Sequence, residues 1–256
     1  MINSKLINRI SEVMNAICVN QNICSEVLEK GFSCISGEDF FFDKSLEFHK
    51  DIFMKTWDDL VLDECMADNG KYRFRRFGTF NFQPLTGELE YQPNTSYFQS
   101  KDYNLMNGGI ERVFAPLHPH TINNIFFKEL ILFNFKQFFI KEEFIGLLWK
   151  VGIHQLRIIA EPGIVGLPTP EGIHQDGEML TSQHLIQREN ISGGTFLMYD
   201  DRKQLLHQWT QLTHFDSIYF EEPRTMHAVT PIESEDNCHQ GKRDVLLIGY
   251  DPILLD

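Results

Sequence analysis

The chain has no surplus of positive charge: 23 Lys and Arg stand against 36 Asp and Glu, for a net charge of −13. Nucleic-acid binding normally needs a basic stripe, and Arg73, Arg75 and Arg76 make only a short cluster, so neither a nucleic acid nor an anionic membrane surface is an expected partner. No apolar run approaches the roughly 20 residues that cross a bilayer. The opening Met-Ile-Asn-Ser-Lys-Leu is amphipathic and does not read as a signal peptide. Cysteine is sparse as well. Cys18, Cys24, Cys34, Cys65 and Cys238 are odd in number, scattered and free of any Cys-x-x-Cys pair, which favours free thiols and a cytoplasmic location. Internal repeats, low-complexity tracts and linkers are missing too, so a single domain over residues 1–256 is expected.

What is abundant is phenylalanine, at 22 residues, a weight of rings that suits a wide core or a ligand cavity walled by aromatics. Leu6, Ile7, Ile10, Val13, Met14 and Ile17 recur at helical spacing, a second helix should stop at Gly31, and residues 44–64 read as a third. Residues 1–70 are therefore expected to be mainly helical. From Lys71 the pattern alternates, with a turn at Pro84–Gly87, another at Asn107–Gly109, and a short strand near Val113. A Phe-rich segment from about 122 to 148 reads as one or two helices. Strands are then expected over 151–160, 171–176, 183–189, 194–199, 213–220, 225–231 and 243–250, as in an all-β sandwich or barrel. Val245–Ile248 is apolar throughout, which predicts a strand covered on both faces, as in a barrel wall backed by helices.

The sharpest local feature is Gly172-Ile173-His174-Gln175-Asp176-Gly177-Glu178. Side chains two apart on a strand share a face, so His174 and Asp176 project together and form two corners of a metal site. His-x-Asp by itself is common in surface turns. Its meaning changes with Thr225-Met226-His227-Ala228-Val229-Thr230-Pro231, where a second His sits among apolar and β-branched residues far downstream. Two His and one carboxylate leave three adjacent coordination positions open, which suits Fe(II) with a chelating 2-oxo acid and O2. Arg243, at the mouth of the buried strand, could grip the far carboxylate of 2-oxoglutarate through paired hydrogen bonds, or pair with an acid such as Asp244.

Together these segments resemble the bacterial Fe(II)- and 2-oxoglutarate-dependent dioxygenases that hydroxylate free amino acids. The likeness runs from about residue 71 to 250. It includes Tyr97–Asn104, Gly108–Phe114, Gly152-Ile153-His154-Gln155-Leu156-Arg157, His174–Glu178, Gly193-Gly194, His227–Pro231 and Arg243–Leu247. It departs from that pattern at Gly177, where an acidic residue is expected, and in the loop 161–172. The resemblance implies a double-stranded β-helix (jelly roll, cupin-like) with flanking helices. It also implies His174, Asp176 and His227 as iron ligands, Arg243 as the 2-oxoglutarate partner, and Fe(II), 2-oxoglutarate and O2 as cofactor and cosubstrates.

Gln155 and Thr230 join Arg243 as candidate cofactor contacts. For the substrate the candidates are Arg157, Tyr97, Phe98, Glu178 and Arg112. Arg112, with one of Arg73, Arg75 and Arg76, could fix an α-carboxylate, and Glu178 could meet an α-ammonium. Arg157 could equally form a salt bridge inside the barrel, and Tyr97-Phe98-Gln99-Ser100 could be a pocket wall or an ordinary packed loop. The expected activity is hydroxylation of a free L-amino acid, an aliphatic side chain being favoured, with succinate and CO2 as coproducts. The alternative is a cupin-like metal-binding or sensor protein without turnover. The partner is a small molecule, and the oligomeric state stays open, a homodimer included.

Overall fold

The computed structural model describes residues 16–93, 96–101, 103 and 108–254. The helix expected to begin near Leu6 lies outside these, except at its end. There Ile17 opens strand β1 (Ile17–Val19) instead. Helix α1 (Ile23–Lys30) is capped by the Asn22 side chain and ends at Gly31, which takes the left-handed conformation at φ 85 and returns its N–H to the Val27 carbonyl. Strands β2 (Phe32–Ile35) and β3 (Phe40–Phe42) follow. β3 pairs with β1, and β2 joins the main sheet beyond the strand Ser217–Glu221. Residues 16–70 are thus mixed rather than mainly helical. Only Glu47–Lys55 (α2) of the expected 44–64 helix is α-helical, followed by a 3-10 turn over Thr56–Asp59 and the short β4 (Val61–Leu62). That turn buries Trp57, whose indole N–H donates to the Leu156 carbonyl at 3.3 Å, so a long-range anchor overrides local helix preference.

The long β5 (Arg73–Gln83) pairs with β6 (Glu88–Gln92) across the expected turn, and β7 (Tyr97–Phe98) with β8 (Glu111–Arg112). Two helices, α3 (Pro119–Ile122) and α4 (Ile125–Lys136), occupy the Phe-rich segment. The remaining strands are β9 (Trp149–Ala160), β10 (Leu180–Glu189), β11 (Ile191–Gly193), β12 (Thr195–Tyr199), β13 (Leu205–Thr210), β14 (Ser217–Glu221), β15 (Met226–Val229), β16 (Ile232–Ser234) and β17 (Gly241–Pro252). Residues 171–176 form no strand. They touch β15 at a single antiparallel bridge, His174 to His227.

The main sheet is antiparallel, in the order β2-β14-β10-β17-β9-β5-β4, with β6 also on β5; β13-β12-β15 makes a smaller sheet. The main sheet has two unlike faces, because side chains alternate along each strand. One face carries Val151, Ile153, Leu246, Ile248 and Tyr250 and packs under α4, whose Phe126, Phe127, Phe133 and Phe135 are buried in the same core. A helix apolar nearly all round must be covered nearly all round, and α4 is. The other face carries Leu156, Ile158, Val245 and Leu247 and looks into a cleft. The smaller sheet is fastened to β14 through Phe196, Met198, Ile218, Phe220 and Val229. The fold is mainly β, a jelly-roll core flanked by helices.

Candidate functional site

The cleft is lined by β5, β7, β8, β9, β10, β15, β17 and the loops that carry Gln99 and residues 168–176; its empty space is about 700 Å³ with the open mouth included. At one side the His174 and His227 rings lie 4.3 Å apart, because their backbones exchange hydrogen bonds of 3.0 and 2.9 Å. Asp176 completes the group: its carboxylate oxygens are 3.5 Å from His174 Nε2 and 3.6 Å from His227 Nε2. One ligand atom from each residue lies within 4.8 Å of the others. Donors at about 2.0–2.2 Å from a common ion have separations of this order. His174 donates Nδ1–H to the Gly172 carbonyl at 2.9 Å, which leaves the Nε2 lone pair for a metal. His227 is held by stacking on Phe196, with centroids 5.5 Å apart, and by Phe220. The residues present fit a divalent ion with a two-His-one-carboxylate face.

The protonation balance agrees. Burial alone would push His174 down, but the adjoining carboxylates of Asp176 and Glu171 carry it up to about 9. Burial raises Asp176, and the two histidines more than offset this and hold it below the usual carboxylate range. A cation is what this cluster selects, and a metal would displace the proton on His174.

Asp176 is aimed from two directions. Gln99 donates to its side chain at 3.1 Å and to its carbonyl at 3.0 Å, and Arg112 in turn donates to Gln99 at 2.6 Å. From below, one oxygen of Glu222 accepts the backbone N–H of Asp176, Gly177 and Glu178 at 2.7, 2.8 and 3.2 Å, while its other oxygen accepts from Thr181 at 3.1 Å. Such a nest of successive N–H groups needs a bend that Gly177 supplies at φ 88. This explains a glycine where the sequence comparison leads one to expect an acid.

Arg243 is 2% exposed and lies on the cleft face of β17. Its Nη2 donates to Gln211 at 2.7 Å, its Nε has no partner, and among the described residues no carboxylate pairs with it. Burial and the neighbouring Arg188 push it down to about 10. Asp244, the alternative partner, points the other way and accepts from Arg157 Nε and Nη2 at 2.8 and 2.7 Å.

A second cationic group stands near the cleft. Arg73 and Arg75 share one carboxylate, Asp63, at 2.7 and 3.3 Å, and Arg112 stacks over Tyr97. Arg73 Nη2, Arg75 Nε and Arg112 Nε are buried without hydrogen-bond partners. Burial and Arg73 push Arg75 down to about 9. Glu171, also on the cleft, reaches within 3.7 Å of His174 Nε2.

Other candidates are placed elsewhere. Gln155 and Arg157 share a face of β9, but it is the face under the helices: Gln155 donates to Thr56 at 2.7 Å and accepts from Thr121. His154, one residue away, faces the cleft instead. Thr230 is turned to β12, where its hydroxyl accepts from the Thr195 N–H at 2.9 Å. Glu178 is buried beneath the metal loop against Gly152 and Gly249 rather than on the cleft, and Phe98 is 59% exposed while Tyr97 lines the cavity. No Phe is among the described lining residues: the apolar part of the wall is mainly aliphatic, and Phe77, Phe196 and Phe220 stand behind His154 and His227. Glu171, Gln211 and Glu222 were missed: Gln211 and Glu222 act through partners remote in sequence, and Glu171, three residues before His174, sits in a loop with no periodic pattern to aim it. Gln99 was named only as a wall residue.

Among known proteins, an L-isoleucine-4-hydroxylase from Bacillus thuringiensis is 26% identical over 229 residues, covering 88% of this chain and 92% of the relative. A 3(1)-hydroxy-L-isoleucine 4-dioxygenase from Pantoea ananatis is 25% identical over 232 residues, with 86% and 92% covered. The crystal structure of IDO from Bacillus thuringiensis superposes with a TM-score of 0.73 at 21% identity, covering 90% of this chain and 94% of that one. The model of the 2OG-Fe dioxygenase family matches residues 54–249, which include the cleft face of the sheet, the metal-binding triad and Arg243. The chain therefore belongs to the 2OG-Fe dioxygenase family, and Fe(II) and 2-oxoglutarate are its cofactors.

Proposed function

We propose that this dioxygenase hydroxylates a free L-amino acid with an aliphatic side chain, releasing succinate and CO2. Bound Fe(II) with 2-oxoglutarate supplies the oxidation, the keto acid being decarboxylated as oxygen is inserted into a C–H bond. His174, Asp176 and His227 hold the ion, and Gln99 and Glu222 keep Asp176 aimed at it. Arg243 holds the far carboxylate of 2-oxoglutarate, where its unpaired Nε and the lack of a carboxylate partner among the described residues favour a dianionic guest. Leu156, Ile158, Val229, Val245 and Leu247 exclude water and accept an apolar side chain.

One observation carries the amino-acid reading. Among the described residues Arg73 and Arg75 share one ion-pair partner, Asp63, and no ion pair is formed by Arg112, so this side of the cleft has unspent capacity for one more carboxylate. Glu171, also on the cleft and beside His174, is the group for an α-ammonium. The relatives named for isoleucine chemistry point the same way. The test is a panel of free L-amino acids with Fe(II) and 2-oxoglutarate, scored by succinate and by a product mass gain of one oxygen. Aliphatic members should turn over and their N-acetyl derivatives should not. Equal turnover of the N-acetyl series removes the role of Glu171.

A further inference from the structure

His154 is a buried imidazole on the cleft that none of the foregoing uses. Its ring is packed between Phe77, at 4.6 Å, and Tyr97, which meets it edge-on at 4.8 Å. Its Nδ1 lies 3.3 Å from Arg75 Nη1. A guanidinium can only donate, so Nδ1 must accept, and the ring proton must sit on Nε2. Burial and the charge of Arg75 hold the ring well below its ordinary pKa, so it stays neutral in that single tautomer. No described residue accepts from Nε2. The ring is thus a fixed N–H donor on a cavity wall, with no acceptor among the described residues.

The sheet register says which end of the cavity it serves. Phe77, His154 and Leu247 lie in one cross-strand row, and Arg73, Ile158 and Arg243 in another. The rows are four residues apart along β9, about 13 Å at the strand rise. His154 is therefore at the end remote from Arg243. It is also the end nearer the triad: Tyr97, against its ring, is two residues from Gln99, which is bonded to Asp176.

We propose that His154 is a positioning residue whose Nε2–H donates to a carboxylate oxygen of the acid bound at the metal end of the cleft. Two acids meet there, the 1-carboxylate end of the keto acid and the α-carboxylate of an amino acid, and only the second rests on the proposed function. The experiment is calorimetric titration, without oxygen, of the Mn(II)-loaded protein and its H154L and H154Q variants. The first titrant is 2-oxoglutarate, followed by L-isoleucine on the saturated complex. A glutamine amide places an N–H near the Nε2 position and leucine offers none.

Losing a hydrogen bond to a charged group should weaken binding by about ten- to hundredfold in H154L. H154Q should recover most of it, with Mn(II) stoichiometry and melting temperature unchanged. Loss confined to 2-oxoglutarate assigns the keto acid as acceptor, and loss confined to L-isoleucine assigns the amino acid. Should H154L fail to fold, H154N replaces it, because its amide sits near Nδ1 and should not rescue. The proposal is overturned if both ligands bind the donor-free variant as they bind the parent, or if H154Q is as weak as H154L. If the parent does not bind L-isoleucine, the amino-acid reading loses its support and the 2-oxoglutarate arm alone decides.

Discussion

At the scale of single residues the site depends on a few groups whose partners are incomplete without a ligand. Asp176 is one: D176A should abolish metal uptake, read as one Mn(II) per chain in the parent and none in the variant by equilibrium dialysis. Retained stoichiometry would remove the triad as the metal centre. Arg243 is another. R243M keeps the length of the side chain but not its charge-assisted bonds, and should raise KM for 2-oxoglutarate by about tenfold to a hundredfold. An unchanged KM would place the cosubstrate elsewhere. Glu222 acts at one remove. In E222A the N–H groups of Asp176, Gly177 and Glu178 lose their common acceptor, and an unsatisfied donor costs about 1–3 kcal/mol where it is buried. Urea unfolding should show a loss of at least that size. Mn(II) affinity should fall about 10–100-fold, the usual penalty for disturbing the groups behind a metal ligand. Wild-type metal affinity in a folded E222A would mean that Gln99 alone aims Asp176.

Between residue and fold stand the strands. Gly152 and Gly249 face each other in the β9–β17 register, and the Glu178 carboxyl lies over both. A methyl group added at Gly249 would collide with that carboxyl, whereas at Gly152 it would meet Glu178 Oε1 at 3.2 Å. G249A should therefore destabilise by about 1–3 kcal/mol, in the range of overpacked cores. E178A should offset much of it, so the two changes are non-additive in a double-mutant cycle. Additive losses would show that the glycine serves some other contact. The same strands show how far a sequence pattern reaches. Period-two alternation correctly groups Gln155 with Arg157 and leaves His154 opposite, but it does not say which face looks at helices and which at the cleft. Strand pairing decides that, and it puts Arg157 on Asp244 and His154 beside Arg75. The helix read over 44–64 is shortened for a like reason, since Trp57 has its partner on β9.

The whole molecule separates two jobs across one sheet. Phe-rich α4 and its neighbours cover one face and make the stable core; the aliphatic and charged face is left for ligands. Among the described residues no helix is long and apolar enough to cross a membrane. None of the five cysteines forms a disulfide within the chain, so the melting temperature should be the same with and without reductant, and a drop on reduction would reveal a disulfide between chains. By itself the sequence determined that strands with alternating faces follow a helical, Phe-rich segment. It also held the residue types of a metal centre, at His174, Asp176 and His227, and an Arg243 at the mouth of a buried strand, with pairing to Asp244 left open. Those are local properties of composition and period. Only the tertiary structure decided that the two histidines share a bridge, that Glu222 holds the loop of Asp176, and that Arg73 and Arg75 share the one carboxylate of Asp63. Each of those depends on atoms brought together by strand pairing between segments far apart in the chain, and no local pattern encodes which segments will meet.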